Sequence, residues 1–312
     1  MSVSVLICVR DRQDFMAFAL DKLATQLRPG DQLVLVDDGS GPEAAEFYRR
    51  CAVPCEKLLI RHESSRGYCE SRNEGILAAR HECVVQLDSD AWLADEGAFA
   101  AFEDALSRFP RAGALALPVH YHYAKAPREC GSLARRWILP DGAVESSFMG
   151  CGAVLRRSAV IEAGLYPAYV RYGGDEDILS ARLFRRGHEV RMFRRARVIH
   201  GHEVLSLAAA YVASREQSRV VEMAGSYLCM AWESLAWPLS RLYQGWVLIK
   251  AARKGLPLRS VIQDYRIKRS GLDARRHGMT LPRSFVWVLR LARVRLSCAW
   301  RYWFRPEGQR VK

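Results

Sequence analysis

Apolar positions in the first ninety residues fall into short unbroken runs, separated by stretches in which they recur at helical spacing. VSVLICV (3–9) is β-rich and apolar throughout. That is the pattern of a strand covered on both faces. Over residues 12–27, Phe15, Ala19, Leu23 and Leu27 share one side of a helix that Arg28-Pro29-Gly30 then ends. DQLVLVDDGS (31–40) reads as a second buried strand running into a polar turn. The pattern predicts a helix from Pro42 to Cys51, a strand over 57–61, a helix over 68–80, and a fourth strand in ECVVQLDSD (82–90). Strand and helix alternating in units of about 25–35 residues predict an open α/β sheet, mostly parallel, with flanking helices.

Beyond residue 95 the rhythm loosens. A helix is expected over 96–109, a strand in GALALPVHYHY (113–123), and a helix over 158–163 after the Gly-rich FMGCGAVLRR (148–157). RYGGDEDILSARLFRRG (171–187) follows, and EVRMFRRARVIHGH (189–202) reads as one strand. After residue 203 strand patterns vanish, and the tail reads as helices broken at Pro238, Pro257 and Pro282. Residues 1–203 are therefore expected to form one α/β unit and 204–312 a helical region.

Charge sharpens that division. The 312-residue chain carries a net +13, and the excess lies wholly in residues 203–312, with twenty Lys+Arg against seven Asp+Glu. Such asymmetry implies a polyanionic partner, either nucleic acid or an acidic membrane surface. FVWVLRLARVRLSCAWRYWFR (285–305) mixes arginines with aromatic and aliphatic groups, which favours a membrane interface. A nucleic-acid reading leaves the balanced first 202 residues unexplained, so no nucleic-acid partner is expected. Nine cysteines, an odd number without a CxxC pair, suit a reducing cytosol. No leader pattern and no uncharged apolar run of about 18 residues is present. The expected location is peripheral, on the cytoplasmic face of the membrane.

Ligands of an open parallel sheet bind beyond the carboxyl ends of its strands. Asp37-Asp38 closes the second strand and Asp88-Ser89-Asp90 the fourth, so both acidic clusters should face one crevice. Paired carboxylates at such a point suit Mg²⁺ or Mn²⁺. The competing reading is that Asp90 caps a helix in ADEGAFAAFEDAL (94–106). RGYCESRNEGILAAR (66–80) brings Arg66 and Arg72 to a helix start. They would suit a diphosphate, or simply form a solvated basic face. Neither G-x-G-x-x-G nor a P-loop follows the first strand, which argues against a nicotinamide dinucleotide or an ATP cradle.

The ordered set VSVLICVRDR, LVLVDDGS, GYCESRNEGI, VVQLDSDAWL, FMGCGAVLRRSAVIEAGLY, GGDEDILSARLFRRG and VIHGH, over roughly residues 3–202, resembles the inverting family 2 glycosyltransferases of the GT-A fold. Cys8 departs from the proline the family often has there. The resemblance implies a nucleoside diphosphate sugar donor and a Mn²⁺ or Mg²⁺ ion. It places Asp38, with Asp37, against base and ribose, and Arg72 near the phosphates. Asp88 would touch ribose or sugar, while Asp90 and either His200 or His202 would hold the metal. Val9, Arg10, Ser89, Gly150 and Asp175 would complete the nucleotide-sugar site. A carboxylate base should deprotonate the acceptor hydroxyl. It is Asp177 if the ED pair is read directly, the preferred register, or Glu176 if LSARL is matched instead. Acids there would also suit the first turn of a helix starting at Asp177 or Ile178. Processive members carry transmembrane helices and Q-x-x-R-W, where this chain has QDYRI (263–267). The resemblance thus implies transfer of one or a few sugars to a glycan or lipid-linked acceptor, in cell-surface polysaccharide or glycolipid synthesis. A nucleotidyltransferase would also use metal-binding acids on an α/β sheet, but would show a Gly-rich, Lys-containing loop where this chain has CVRDRQDF.

Overall fold

The computed structural model describes residues 2–121, 128–129, 140–170, 173–201, 209–235, 237–253 and 255–270. Its first half is the expected alternation: β1 (Val3–Val9), α1 (Gln13–Ala24), β2 (Gln32–Asp37), α2 (Pro42–Arg50), β3 (Glu56–Arg61), α3 (Tyr68–Ala78) and β4 (Cys83–Asp88). β1 lies between β2 and β4, parallel to both, with Ile7 opposite Leu35 on one side and Leu87 on the other. Alternate residues of β1 serve two cores. Val3, Val5, Ile7 and Val9 pack in one cluster, and Leu6 packs on the opposite face with Val34, Val36, Val84 and Ile76 of α3. Two covered faces are why these strands read as continuous apolar runs.

The second half departs from a simple parallel sheet. β5 (Ala91–Leu93), α4 (Ala98–Arg108), β6 (Ala112–Ala116) and β7 (Val119–Tyr121) are followed by β8 (Arg128–Glu129), β9 (Val144–Glu145) and β10 (Gly152–Arg156). Then come α5 (Arg157–Ala163), α6 (Asp175–Arg185), β11 (Glu189–Met192) and β12 (Val198–His200). Eight strands form the main sheet in the order β3-β2-β1-β4-β10-β6-β11-β9, with β10 antiparallel to both β4 and β6. The segments 113–123 and 189–202, each expected as one strand, both break in two. Pro118, which lacks an N–H to continue a ladder, separates β6 from β7. Phe193–Arg197 separates β11 from β12. In each case the second piece joins another sheet, ordered β5-β12-β7-β8. Its register sets His200 opposite Ala91, next to the acid that ends the turn after β4.

Three helices follow: α7 (Ala209–Ser234), α8 (Trp237–Arg253) and α9 (Leu258–Ser270). Breaks fall at Pro238 and Pro257 as expected, whereas Pro282 and the 285–305 segment lie outside the described residues. Met230, Ala231 and Leu235 join the core on the α6 face of the sheet. Glu233 accepts bonds from Arg182 of α6 and from Tyr169, fastening α7 to α6.

Candidate active site

The carboxyl ends of β1, β2 and β4 open into a cleft of about 680 Å³. Asp88 is the last residue of β4, and the chain turns through Ser89 and Asp90 into β5. α4 starts only at Ala98, after Gly97, so Asp90 does not cap it. Instead Asp90 faces His200 across the second sheet. His200 Nε2 lies 3.0 Å from Asp90 Oδ1 and 4.0 Å from Asp88 Oδ2. An octahedral Mg²⁺-like shell with bonds of about 2.1 Å has edges of about 3 Å and diagonals of about 4 Å. Two carboxylates and one imidazole, their ligand atoms all within 4.8 Å of one another, therefore fit a divalent cation. Burial pulls the His200 pKa down, but the bond to Asp90 and the charges of Asp90 and Asp88 outweigh it and leave it raised.

Cations also answer the acids. Arg12 donates to Asp90 Oδ2 at 2.9 Å. Arg72, its side chain 7 % exposed, spans the cleft floor. It donates to Asp88 Oδ1 (3.1 Å), to the Gly150 carbonyl (3.3 Å) and to Asp175 Oδ2 (2.9 Å), and lies 4.0 Å from Glu176 Oε1. The guanidinium stacks over Tyr68 and Tyr166 at 4.7 and 5.4 Å from the ring centroids. Arg66 does not join it. It is exposed, lies outside the cleft lining, and approaches Glu74 at 3.6 Å.

α6 begins at Asp175, two or three residues before the expected start, so Asp175, Glu176 and Asp177 all occupy its first turn. Gly173 and Gly174 precede it with φ of +68° and +84°, a region open to glycine at little cost. Asp175 is buried and accepts from the Tyr68 hydroxyl as well as from Arg72. Glu176 lies against Gly150, where an added Cβ would fall 2.0 Å from Glu176 Oε1. Burial, then the charge of Asp175, pushes the Glu176 carboxyl well above the ordinary carboxylate range against the pull of Arg72. Asp177 lines the same cleft.

Asp38 also lines the cleft, but its acceptor sites are engaged within the protein. It receives Ser65 Oγ (2.6 Å), the Arg66 and Gly67 N–H groups (2.7 and 3.1 Å) and His62 Nδ1 (2.8 Å). A ribose hydroxyl would have to share or displace one of these bonds. Burial alone would raise the Asp38 carboxyl, yet the bonds from Ser65, His62 and the two amides lower it. Asp37 turns away from the cleft to Arg61 and the Ser40 N–H. His62 sits between two carboxylates, Asp38 and Glu74, the latter at 2.6 Å from Nε2. Both ring nitrogens can serve such partners only as the imidazolium. Burial opposes that charge, but the two acids outweigh it and raise the pKa from its ordinary 6.5. A raised folded-state pKa stabilises fully below the unfolded value and fades as pH climbs through the folded one. His62→Gln should therefore cost most stability below about pH 6 and progressively less above it, read by urea unfolding across pH. A cost that does not change with pH would exclude the imidazolium.

Residues 4–162, just over half the chain, match the family described as Glycosyl transferase family 2. The chain belongs to that family. Pre-mycofactocin glycosyltransferase of Mycobacterium tuberculosis is 30 % identical over 213 residues, 64 % of this chain and 43 % of that protein. Poly-beta-1,6-N-acetyl-D-glucosamine synthase of Staphylococcus epidermidis is 26 % identical over 113 residues, 36 % of this chain and 27 % of that protein. The chain thus matches less than half the length of these curated relatives. The mannosyltransferase PcManGT of Pyrobaculum calidifontis, solved with GDP-Man and Mn²⁺, superposes with a TM-score of 0.54 at 17 % identity, over 97 % of this chain and 87 % of that one. That likeness shows the GT-A fold.

Within this family 2 chain, Val9, Arg10, Ser89 and Gly150 line the cleft with Asp88 and His200, as do Arg72 and the three acids of α6, while Asp90 is buried behind them, bonded to His200 and Arg12. His202 lies outside the described residues. Sequence reasoning missed Arg12, although VRDR places it just past the end of β1. It missed Tyr68 in GYC, whose hydroxyl holds Asp175. It also missed Glu145, Met223 and Tyr227, which line the cleft from regions without a recognised motif. Glu145 is 5 % exposed, and its Oε2 has no hydrogen-bond partner among the described residues.

Proposed function

We propose that this protein transfers a sugar from a nucleoside diphosphate sugar to a hydroxyl of a saccharide or lipid-linked acceptor, inverting the anomeric centre. The observation that carries the reading is Arg72. One guanidinium joins Asp88, beside the candidate metal ligands, to Asp175 and Glu176 at the start of α6. The two halves of a displacement reaction thereby face one another across a single cleft. Asp90 and His200, with Asp88 beside them, would hold Mn²⁺ or Mg²⁺, which supplies positive charge to the leaving diphosphate. Arg72, and Arg12 once released from Asp90, would grip the phosphate oxygens.

Of the two candidate bases, Glu176 fits better. Its carboxyl lies against Gly150 at the cleft, and a carboxylate with raised proton affinity is a better base near neutral pH. It accepts the proton of the acceptor hydroxyl as that oxygen bonds to the anomeric carbon. The bond from that carbon to the β-phosphate oxygen breaks, and its electron pair leaves with the diphosphate. Glu145 Oε2 offers a buried acceptor for a hydroxyl of the bound sugar. The polysaccharide named in the Staphylococcus epidermidis relative supports a place in polysaccharide synthesis. The lack of the Q-x-x-R-W pattern supports addition of one or a few units.

A thermal-shift panel of nucleotide sugars, with and without Mn²⁺, tests the assignment. A donor at a hundredfold excess over its Kd should add about 2.7 kcal/mol, with the gain dependent on Mn²⁺. No response to any nucleotide sugar would reject the reading.

A further inference from the structure

The face of α8 opposite its packing side has no role in the transfer site. On the inner side, Val247 and Ala251 share a small core with Ala224 and Leu228 of α7 and Val261 of α9. Gln244 is also buried and donates to the Leu228 carbonyl. A helix packed on one side normally turns polar residues to the other. Here the outer side carries Leu242, 70 % exposed, Ile249, 55 % exposed, and Trp246, 37 % exposed. Positions 242, 246 and 249 follow i, i+4, i+7 spacing, which makes a continuous stripe about 10 Å long. Gly245 borders it with open space where a side chain would be.

Charge indicates what covers the stripe. α8 contains no acid, and its stripe is flanked by Arg241, by Lys250 lying over the Trp246 ring, and by Arg253. Residues 237–270 hold eight Lys+Arg and one acid, Asp264. That acid is already paired with the buried Lys268 at 2.7 Å. Arg259, Arg266 and Arg269 on α9 are exposed. Among the described residues, no helix is long and apolar enough to cross a membrane.

We propose that this face of α8 docks the protein onto an anionic lipid bilayer. The helix lies in the headgroup plane, with Leu242, Trp246 and Ile249 directed at the acyl boundary and the surrounding arginines on lipid phosphates. Nucleic acid would satisfy the positive charge but would leave the aliphatic side chains without apolar cover, so lipid is the better match. The inference does not depend on the transfer reaction proposed above.

The test is co-sedimentation of the full chain with phosphatidylcholine vesicles, with and without phosphatidylglycerol. Wild type should sediment with the anionic vesicles and release as salt rises. Leu242→Asp/Ile249→Asp should weaken that partitioning by about tenfold or more. Circular dichroism monitors folding of the variant. Leu242→Ser/Ile249→Ser serves as a milder variant should the acidic pair fail to fold. Partitioning of a folded variant equal to wild type overturns the proposal, as does failure of wild type to bind anionic vesicles. Loss of a solution dimer in the variant, with vesicle binding intact, would assign the stripe to a second copy and overturn it. So would salt-sensitive nucleic-acid binding by wild type in place of vesicle binding.

Discussion

Glu176→Gln is expected to lower kcat by about 10²–10⁴-fold, the usual worth of a positioned general base. The substitution keeps the shape that lies against Gly150 and removes the proton-accepting oxygen. Donor binding should survive, because Asp88, Asp90, His200 and Arg72 are untouched, so the loss should appear in kcat with the donor KM nearly unchanged. Asp177→Asn should cost far less, and the opposite ranking would make Asp177 the base. The pH profile provides an independent readout. A base must be unprotonated to work, and burial with the Asp175 charge holds the Glu176 carboxyl well above its ordinary 4.5. Wild-type activity should therefore fall as pH drops through that raised value, and the residual activity of Glu176→Gln should lack this limb.

The sequence register alone left Asp177 and Glu176 open, because EDxxL and LSARL anchor the acids one residue apart. What favours Glu176 in the proposed mechanism is tertiary: a glycine at position 150, brought in on the approach to antiparallel β10, leaves the space that Glu176 fills. The first half of the fold was legible because β1, β2 and β4 are buried along nearly their whole length and β2 and β4 carry acids at their ends. Asp38, Arg72 and Asp88 all fell into one crevice for that reason, with Asp90 bonded to His200 beside it. The pairing of Asp90 with His200 was visible only as a motif. Its physical cause is the second sheet, which forms because Pro118 and the 193–197 segment divert two chain segments away from the first. Arg12 could have been found, since any cation just past a strand end shares the acids' crevice. Glu145, Met223 and Tyr227 could not, because no local pattern announces that an edge strand and a late helix will reach back to the site. Arg66 shows the opposite error. A helix N-terminus placed it near the site, but only its backbone N–H serves there, holding Asp38.

Arg72→Met is expected to be the most damaging single change to the folded state. The guanidinium and Asp175 are both almost fully buried, at 7 % and 1 % side-chain exposure. Removing one partner of such a pair leaves a charge without compensation and costs about 3–5 kcal/mol. Urea unfolding should show this as a lower midpoint with an unchanged slope. The loss should come from the stranded Asp175 carboxylate and not from lost packing over Tyr68 and Tyr166. Asp175→Asn in the Arg72→Met background separates the two. A neutral amide has no charge to leave unpaired and can still accept the Tyr68 hydroxyl, so the double variant should recover most of the lost stability. It should nevertheless remain inactive. Asp88 would still lack its cation, the phosphate oxygens would lose the guanidinium, and the first turn of α6 would no longer be tied across the cleft. A double variant as unstable as Arg72→Met would show that stacking, not charge, holds the residue in place. A double variant that regains turnover would remove Arg72 from the transfer site.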